Sequence, residues 1–182
     1  MSNKVYHVND YQFRATDAVL FDANVWLYIY GVQGDRYPNT RATYILALRR
    51  IRSVQGRIFL DVLVLSEFIN AYSRFFYNSL PPATRLADFK SFRDSDQFKP
   101  LAAKIARKAE KILDKCDLTE SGLTSVNLRG IVREYAAGES DFNDQMLAEL
   151  CKTKELILVT HDTDFSGDNL TILTANRRLL PE

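Results

Sequence analysis

Six acidic side chains stand where a predicted strand ends or a predicted helix begins. They are Asp22, Glu67, Asp141, Asp144, Asp162 and Asp164. If the strands are parallel, their carboxyl ends meet along one edge of the sheet, where ligands of such sheets bind. Carboxylates gathered there would repel one another unless a cation lay among them, and oxygen ligands suit Mg²⁺ or Mn²⁺. A divalent ion held in this way binds phosphate oxygens and activates water, which is the chemistry of phosphodiester hydrolysis.

Each acid taken alone has an ordinary structural explanation. Asp141 and Asp144 suit the first turn of a helix, because the helix dipole favours negative charge there. Glu67 suits the start of a helix capped by Ser66. Asp22 has the fewest such explanations, since it ends an apolar strand. The hypothesis of a metal site therefore rests on the convergence of the six acids.

The chain offers no competing set of softer metal ligands. Its two histidines are His7 and His161, and its two cysteines, Cys116 and Cys151, lack the spacing of a zinc site. Two isolated thiols suit the reducing cytoplasm. The longest apolar stretch, at residues 18–30, is too short to cross a membrane. The sequence thus predicts a cytoplasmic protein without a membrane segment.

Apolar patterning places the acids on alternating strands and helices. Short apolar runs predict strands at residues 18–21, 57–64, 156–160 and 170–173. Apolar residues at helical spacing predict helices at residues 25–30, 40–55, 66–77, 100–116, 126–137 and 142–153. This order indicates an α/β protein with a mainly parallel central sheet. The length fits one domain over residues 1–182, with a helical insertion at about 81–122.

The net charge of +1 hides an uneven distribution. Residues 1–116 carry 18 basic and 11 acidic side chains, whereas residues 117–182 carry 6 basic and 12 acidic ones. Lys104, Lys108 and Lys111 recur along one face of a predicted helix. This face is a solvated helix surface, a surface for the phosphate backbone of RNA, or a surface for an acidic protein partner.

Four segments resemble the PIN-domain nucleases, a family that includes the VapC-type toxins of toxin–antitoxin pairs. They are VLFDAN at 19–24, VLSEFIN at 64–70, DFNDQMLA at 141–148 and LVTHDTDF at 158–165. Each motif is loose alone, but all four follow the family's order and together span nearly the whole chain. The resemblance implies a three-layer α/β/α sandwich whose acids gather at the carboxyl end of a parallel sheet and bind Mg²⁺ or Mn²⁺.

The resemblance also implies roles for individual residues. The carboxylates that it places in the catalytic and metal-binding set are Asp22, Glu67, Asp144 and Asp162. Asp141 is a further metal ligand, because its spacing from Asp144 puts both on one helical face, and Asp164 is a partner or substitute of Asp162. Asn24 and Thr160 are expected to orient the acids through hydrogen bonds.

The function predicted from these residues is that of a Mg²⁺- or Mn²⁺-dependent endoribonuclease. The toxin resemblance adds an antitoxin protein and a homodimer as candidate partners beside the RNA substrate. One alternative is a structure-specific DNA nuclease, which shares this acidic architecture and differs in its substrate. A second alternative is a PIN-like binding module without activity, against which the complete acid set argues. A small-molecule phosphohydrolase is a weaker alternative, because the sequence shows no clear covalent nucleophile.

Overall fold

A parallel sheet runs through the computed structural model, which describes residues 3–120, 122, 126–138, 141–165 and 169–181. The strands found in this part of the chain are β1 (Lys4–His7), β2 (Ala18–Phe21), β3 (Arg57–Leu60), β4 (Asp117–Leu118), β5 (Ile157–Val159) and β6 (Thr171–Thr174). Their order across the sheet is β1-β6-β5-β2-β3-β4, and every neighbouring pair is parallel. The predicted α/β class with a parallel central sheet is confirmed.

Helices connect the strands and cover the sheet. Those in the described residues are α1 (Ala23–Tyr30), α2 (Gln33–Arg36), α3 (Pro38–Ser53), α4 (Val62–Ser79), α5 (Phe89–Arg93), α6 (Phe98–Leu113), α7 (Leu128–Ala136) and α8 (Phe142–Thr153). Helix α1 packs against α3 and α4, and α4 also packs against α6. The architecture is the predicted three-layer α/β/α sandwich. Within the described residues, no helix is both long and apolar enough to cross a membrane.

The two central strands carry the most deeply buried side chains of the sheet. Val19, Leu20 and Phe21 of β2 are fully buried, as are Leu158 and Val159 of β5. A parallel strand covered by helices on both faces has no polar face, so it forms a continuous apolar run. This is why the two central strands could be predicted from the sequence.

The strand order reverses between β2 and β5. The chain passes from β2 to β3 on one side of the sheet, whereas β5 and β6 lie on the other side of β2. Val19 pairs with Ile157, and Phe21 pairs with Val159. The residues that follow these two strands are therefore neighbours at the carboxyl edge. Open α/β sheets bind their ligands in the crevice at such a reversal.

Helix α4 begins earlier than the sequence predicted, which changes the setting of Glu67. The strand predicted at 57–64 ends at Leu60, and Asp61 caps the helix by accepting a hydrogen bond from Leu63 N at 2.7 Å. Ser66 is therefore not the cap, and Glu67 lies in the second turn of α4. The prediction was wrong because a short apolar run fits a buried strand and a buried helix equally well.

The stretch predicted as an insertion contributes to both a helical layer and the sheet. Residues 81–122 include α5, α6 and the short edge strand β4. Helix α6 packs on α4, and β4 pairs with β3 through Leu60 and Leu118. Strands β1 and β4 were not predicted, because edge strands with exposed side chains lack a clear apolar pattern.

Helix α2 approaches α1 so closely that only glycine fits at the contact. A Cβ atom on Gly34 would lie 2.1 Å from the backbone oxygen of Tyr28 and 2.9 Å from the side chain of Arg41. Gly34→Ala is therefore expected to displace α2 and lower the free energy of unfolding by about 1–3 kcal/mol. Thermal unfolding measures this, with exposed Arg36→Ala in the same helix as the control. Equal melting temperatures for the two variants would contradict the close approach.

Candidate active site

Asp22 forms the buried centre of the candidate site, directly after β2. Its side chain is among the few buried charged groups of the described residues, with 3% exposure. Oδ1 accepts a hydrogen bond from Ala23 N at 2.6 Å, so Asp22 caps helix α1. The cap fixes this carboxylate at the sheet edge, where the strand order reverses.

Asn24 and Thr160 hold the second oxygen of Asp22. Thr160 Oγ1 donates to Asp22 Oδ2 at 2.7 Å, and Asn24 Nδ2 donates to the same oxygen. Asn24 Nδ2 also lies 3.1 Å from Thr160 Oγ1. Thr160 Oγ1 in turn accepts from the backbone N–H of Asp162 at 3.0 Å. These bonds join the ends of β2 and β5 and fix the direction of the Asp22 carboxylate.

Thr160→Val is expected to destabilise the protein by about 1–3 kcal/mol, because buried Asp22 loses a donor while the side chain keeps its shape. For a chain of this size the melting temperature should fall by about 2–4 °C per kcal/mol. Thr163→Val, at an exposed position nearby, is the control and should change little. The contribution of the hydrogen bond is refuted if Thr160→Val unfolds at the wild-type temperature.

Four further carboxylates act electrostatically on this centre or on one another. Burial, together with the charges of Asp22, Asp141 and Asp162, raises the pKa of Glu67 to about 7. Burial also raises the pKa of Asp144 to about 7, with contributions from the other four acids. The pKa of Asp22 rises to about 6, mainly because it is buried. The structure therefore brings five of the six predicted acids into one coupled group.

Asp141 and Asp164 lie at the exposed border of the site. Asp141 caps α8 by accepting a hydrogen bond from Asn143 N at 2.8 Å, and its charge acts on the inner acids. Asp164 is exposed, and its backbone N–H donates to Asp162 Oδ1 at 3.2 Å. Its charge is not among those that raise the pKa of the buried carboxyls. Asp164 thus helps to fix the direction of the Asp162 carboxylate through its backbone N–H.

Asp61 is a buried carboxylate at the same edge that the sequence analysis did not single out. It follows β3 and is fully buried. Its Oδ1 caps α4, but its buried Oδ2 has no hydrogen-bond partner in the described part of the chain. Since Leu20 pairs with Phe59, Asp61 lies level with Asp22 on the neighbouring strand. The only signal in the sequence was an acid interrupting an apolar run.

The lysines predicted to bind nucleic acid lie on a basic surface away from Asp22. This basic surface consists of Lys104, Lys108, Lys111 and Arg41. Burial and the repulsion within this surface lower the pKa of Lys108. Lys108 Nζ lies 5.8 Å from the ring centre of Tyr30, the last residue of α1. Asp22 caps the opposite end of that helix, which is about 12 Å long.

Comparisons with known proteins agree with this fold. The sequence profile of the PIN domain family matches residues 19–167, a range that contains all six predicted acids. The chain therefore belongs to the PIN domain family, a nuclease-type family whose members usually use divalent metal ions.

The fold is also similar to that of a solved structure, described as the crystal structure of PAE2754 from Pyrobaculum aerophilum. The two share a TM-score of 0.50 and 16% identity over 95% of this chain and 93% of the other. No curated protein matches the sequence.

Proposed function

We propose that this chain is a metal-dependent endoribonuclease that hydrolyses phosphodiester bonds in RNA. The observation that carries the proposal is the electrostatic coupling of five carboxylates at the point where the strand order reverses. They are Asp22, Glu67, Asp141, Asp144 and Asp162. A cation between them would offset the burial and the repulsion that together raise the pKa values of Asp22, Glu67 and Asp144. Membership of a nuclease-type family supports the same chemistry.

The donor set fits Mg²⁺ or Mn²⁺. It consists of carboxylate oxygens, which hard divalent ions prefer, without a cluster of sulfur or imidazole ligands. Among the described residues, no three acidic, histidine or cysteine side chains are already close enough to share one ion. Mg²⁺ keeps several waters, so carboxylates of this group that did not contact the ion would hold it through water. The residues that would hold the ion are Asp22, Glu67, Asp144 and Asp162, with Asp141 at the border.

The chemistry supplied by the bound ion would be activation of a water molecule and stabilisation of charge on the phosphate oxygens. The chain's own residues prepare the site for it. Asn24 and Thr160 orient Asp22 through hydrogen bonds to one oxygen. Burial lowers the pKa of His161, so this ring beside Asp162 is neutral at pH 7 and adds no positive charge.

The basic surface, formed by the three lysines of α6 and by Arg41 of α3, is proposed to bind the phosphate backbone of the RNA at a distance from the cleaved bond. Its positive charges offset the repulsion between an acidic site and a polyanion.

The choice of RNA, of a toxin role and of an antitoxin partner is supported by the motifs shared with VapC-type toxins. Expression in bacterial cells should therefore slow growth, and Asp144→Asn should remove this effect.

The test is cleavage of a labelled single-stranded RNA, of a matched single-stranded DNA and of a branched DNA, with Mg²⁺, with Mn²⁺ and with EDTA. We expect cleavage of RNA only, in the presence of either ion. Cleavage of branched or single-stranded DNA in preference to RNA would favour the DNA nuclease instead. Folded protein that binds the ions but cuts neither polymer would favour the inactive binding module.

A further inference from the structure

A cavity of about 240 Å³ opens directly beside Asp162. Tyr28 of α1 and Gln33 of α2 reach it from one part of the chain, and Arg178 reaches it from the C-terminal segment. His161 and Asn176 complete the wall between them. A ligand in this cavity would touch Asp162, so the cavity is continuous with the proposed catalytic site.

Hydrogen bonds between asparagine side chains and the backbone hold the frame of the cavity in place. Asn24 Oδ1 accepts from His161 N at 3.0 Å, and Asn176 Nδ2 donates to His161 O at 2.8 Å. Asn176 Oδ1 accepts from Arg178 N at 3.1 Å. The amide groups of Asn24 and Asn176 are therefore used within the protein. The cavity is pre-formed, which lowers the entropic cost of filling it.

The groups that remain for a ligand differ from these frame residues. Gln33 Oε1 is buried and has no hydrogen-bond partner among the described residues. The Tyr28 ring stands against the His161 ring at 4.8 Å between centres and offers an aromatic wall. Arg178 is exposed at the cavity's border and brings a positive charge next to the acidic site. An unpaired buried acceptor favours a ligand that donates a hydrogen bond to it.

We infer that this cavity binds one unstacked base of the RNA, next to the phosphate that is cleaved. The base lies against Tyr28, its exocyclic amino group donates to Gln33 Oε1, and Arg178 contacts the adjoining phosphate. Aromatic walls and hydrogen bonds to base edges are how proteins read single-stranded RNA. Adenine and cytosine present an amino group at the edge where uracil presents a carbonyl, which would repel the glutamine oxygen. The inference rests on the proposed function, because it assigns a base preference to that same site.

The experiment measures binding separately from cleavage. Labelled oligoadenylate, oligocytidylate and oligouridylate are titrated by fluorescence anisotropy with the Asp144→Asn protein, in the presence of Mg²⁺. We expect the first two to bind about tenfold more tightly than oligouridylate, the effect of about 1.4 kcal/mol. Adding Gln33→Leu should remove this difference, whereas Gln97→Leu, at an exposed position outside the cavity, should preserve it.

Arg178→Ala tests the phosphate contact. It should weaken the binding of all three oligomers to a similar extent and reduce the dependence of binding on salt. The reason is that Arg178 is proposed to touch the phosphate backbone of the RNA and not the base. Arg177→Ala removes the same charge from a neighbouring residue that does not line the cavity, and it should have the smaller effect.

The inference is overturned by equal binding of the three oligomers, or by a preference that survives Gln33→Leu. It is also overturned if Arg178→Ala and Arg177→Ala act alike. These outcomes are separate from a failure of the proposed function. Wild-type protein that cleaves RNA without a base preference would refute the cavity's role alone. A base preference in binding with no cleavage by the wild type would refute the nuclease activity alone.

Discussion

Asp144→Asn is expected to abolish RNA cleavage while making the metal-free protein more stable. Asp144 lies in the first turn of α8 and is coupled to four other carboxylates. Removing a ligand charge should weaken metal binding and activity by at least about 100-fold, because even residues that only orient ligands cost about 10–100-fold. The same change removes a carboxyl whose pKa is raised to about 7 by burial and by the repulsion of its neighbours.

The two effects have opposite signs, which distinguishes a functional acid from a structural one. Above pH 7 the metal-free variant should unfold at a temperature about 2–4 °C higher than the wild type, for a gain of about 1 kcal/mol after allowance for solvent screening. Glu149→Gln, on the same helix, is the control, since Glu149 pairs with Lys152 and is not among the acids that act on Asp144. An Asp144→Asn protein that is both inactive and less stable would contradict a repulsive acidic group.

The metal-free protein should also lose stability as the pH rises from about 4 to about 8. The pKa values of Glu67 and Asp144 rise to about 7 in the folded state, and that of Asp22 rises to about 6. In the unfolded chain such carboxyls titrate near pH 4. Between these values the folded protein binds more protons than the unfolded chain, so the free energy of unfolding falls with increasing pH.

Divalent ions should reverse this loss. At a concentration 100 times the dissociation constant, a bound ion adds about 2.7 kcal/mol to the free energy of unfolding. The melting temperature, measured against pH with EDTA, with Mg²⁺ and with Na⁺ at matched ionic strength, checks both statements. The decrease with pH should be smaller in the Glu67→Gln, Asp144→Asn double variant. A wild-type protein whose stability rises steadily with pH in EDTA would contradict the account.

The parts of the fold that sequence analysis predicted are those with strong local signals. Strand β2 at Ala18–Phe21 and helix α8 at Phe142–Thr153 have the predicted bounds. In the first, a fully buried strand is wholly apolar. In the second, an acidic cap precedes apolar residues at helical spacing. The acids at the ends of these elements could therefore be assigned to one edge before the structure was known.

The parts that sequence analysis missed depend on contacts between distant segments. The cap of α4 at Asp61 was hidden inside an apolar run that fitted a longer strand. The cavity beside Asp162 joins Tyr28 and Gln33 to Arg178, which is far from them in the chain and shares no motif with them. The position of Lys108 at the far end of α1 also depends on how α6 packs. Periodicity gives the face of a helix, but it does not give the neighbour of that face.

Asp22, Glu67, Asp141, Asp144 and Asp162 are proposed to form a single site for a divalent cation. The most direct test of this claim is calorimetric titration of the metal-free protein with Mn²⁺, comparing the wild type with Asp144→Asn and with the control Glu149→Gln. We expect saturable binding to the wild type and to Glu149→Gln, and a loss of affinity of at least about 100-fold in Asp144→Asn. Absence of binding to the folded wild type, or equal affinity in all three proteins, would contradict the claim.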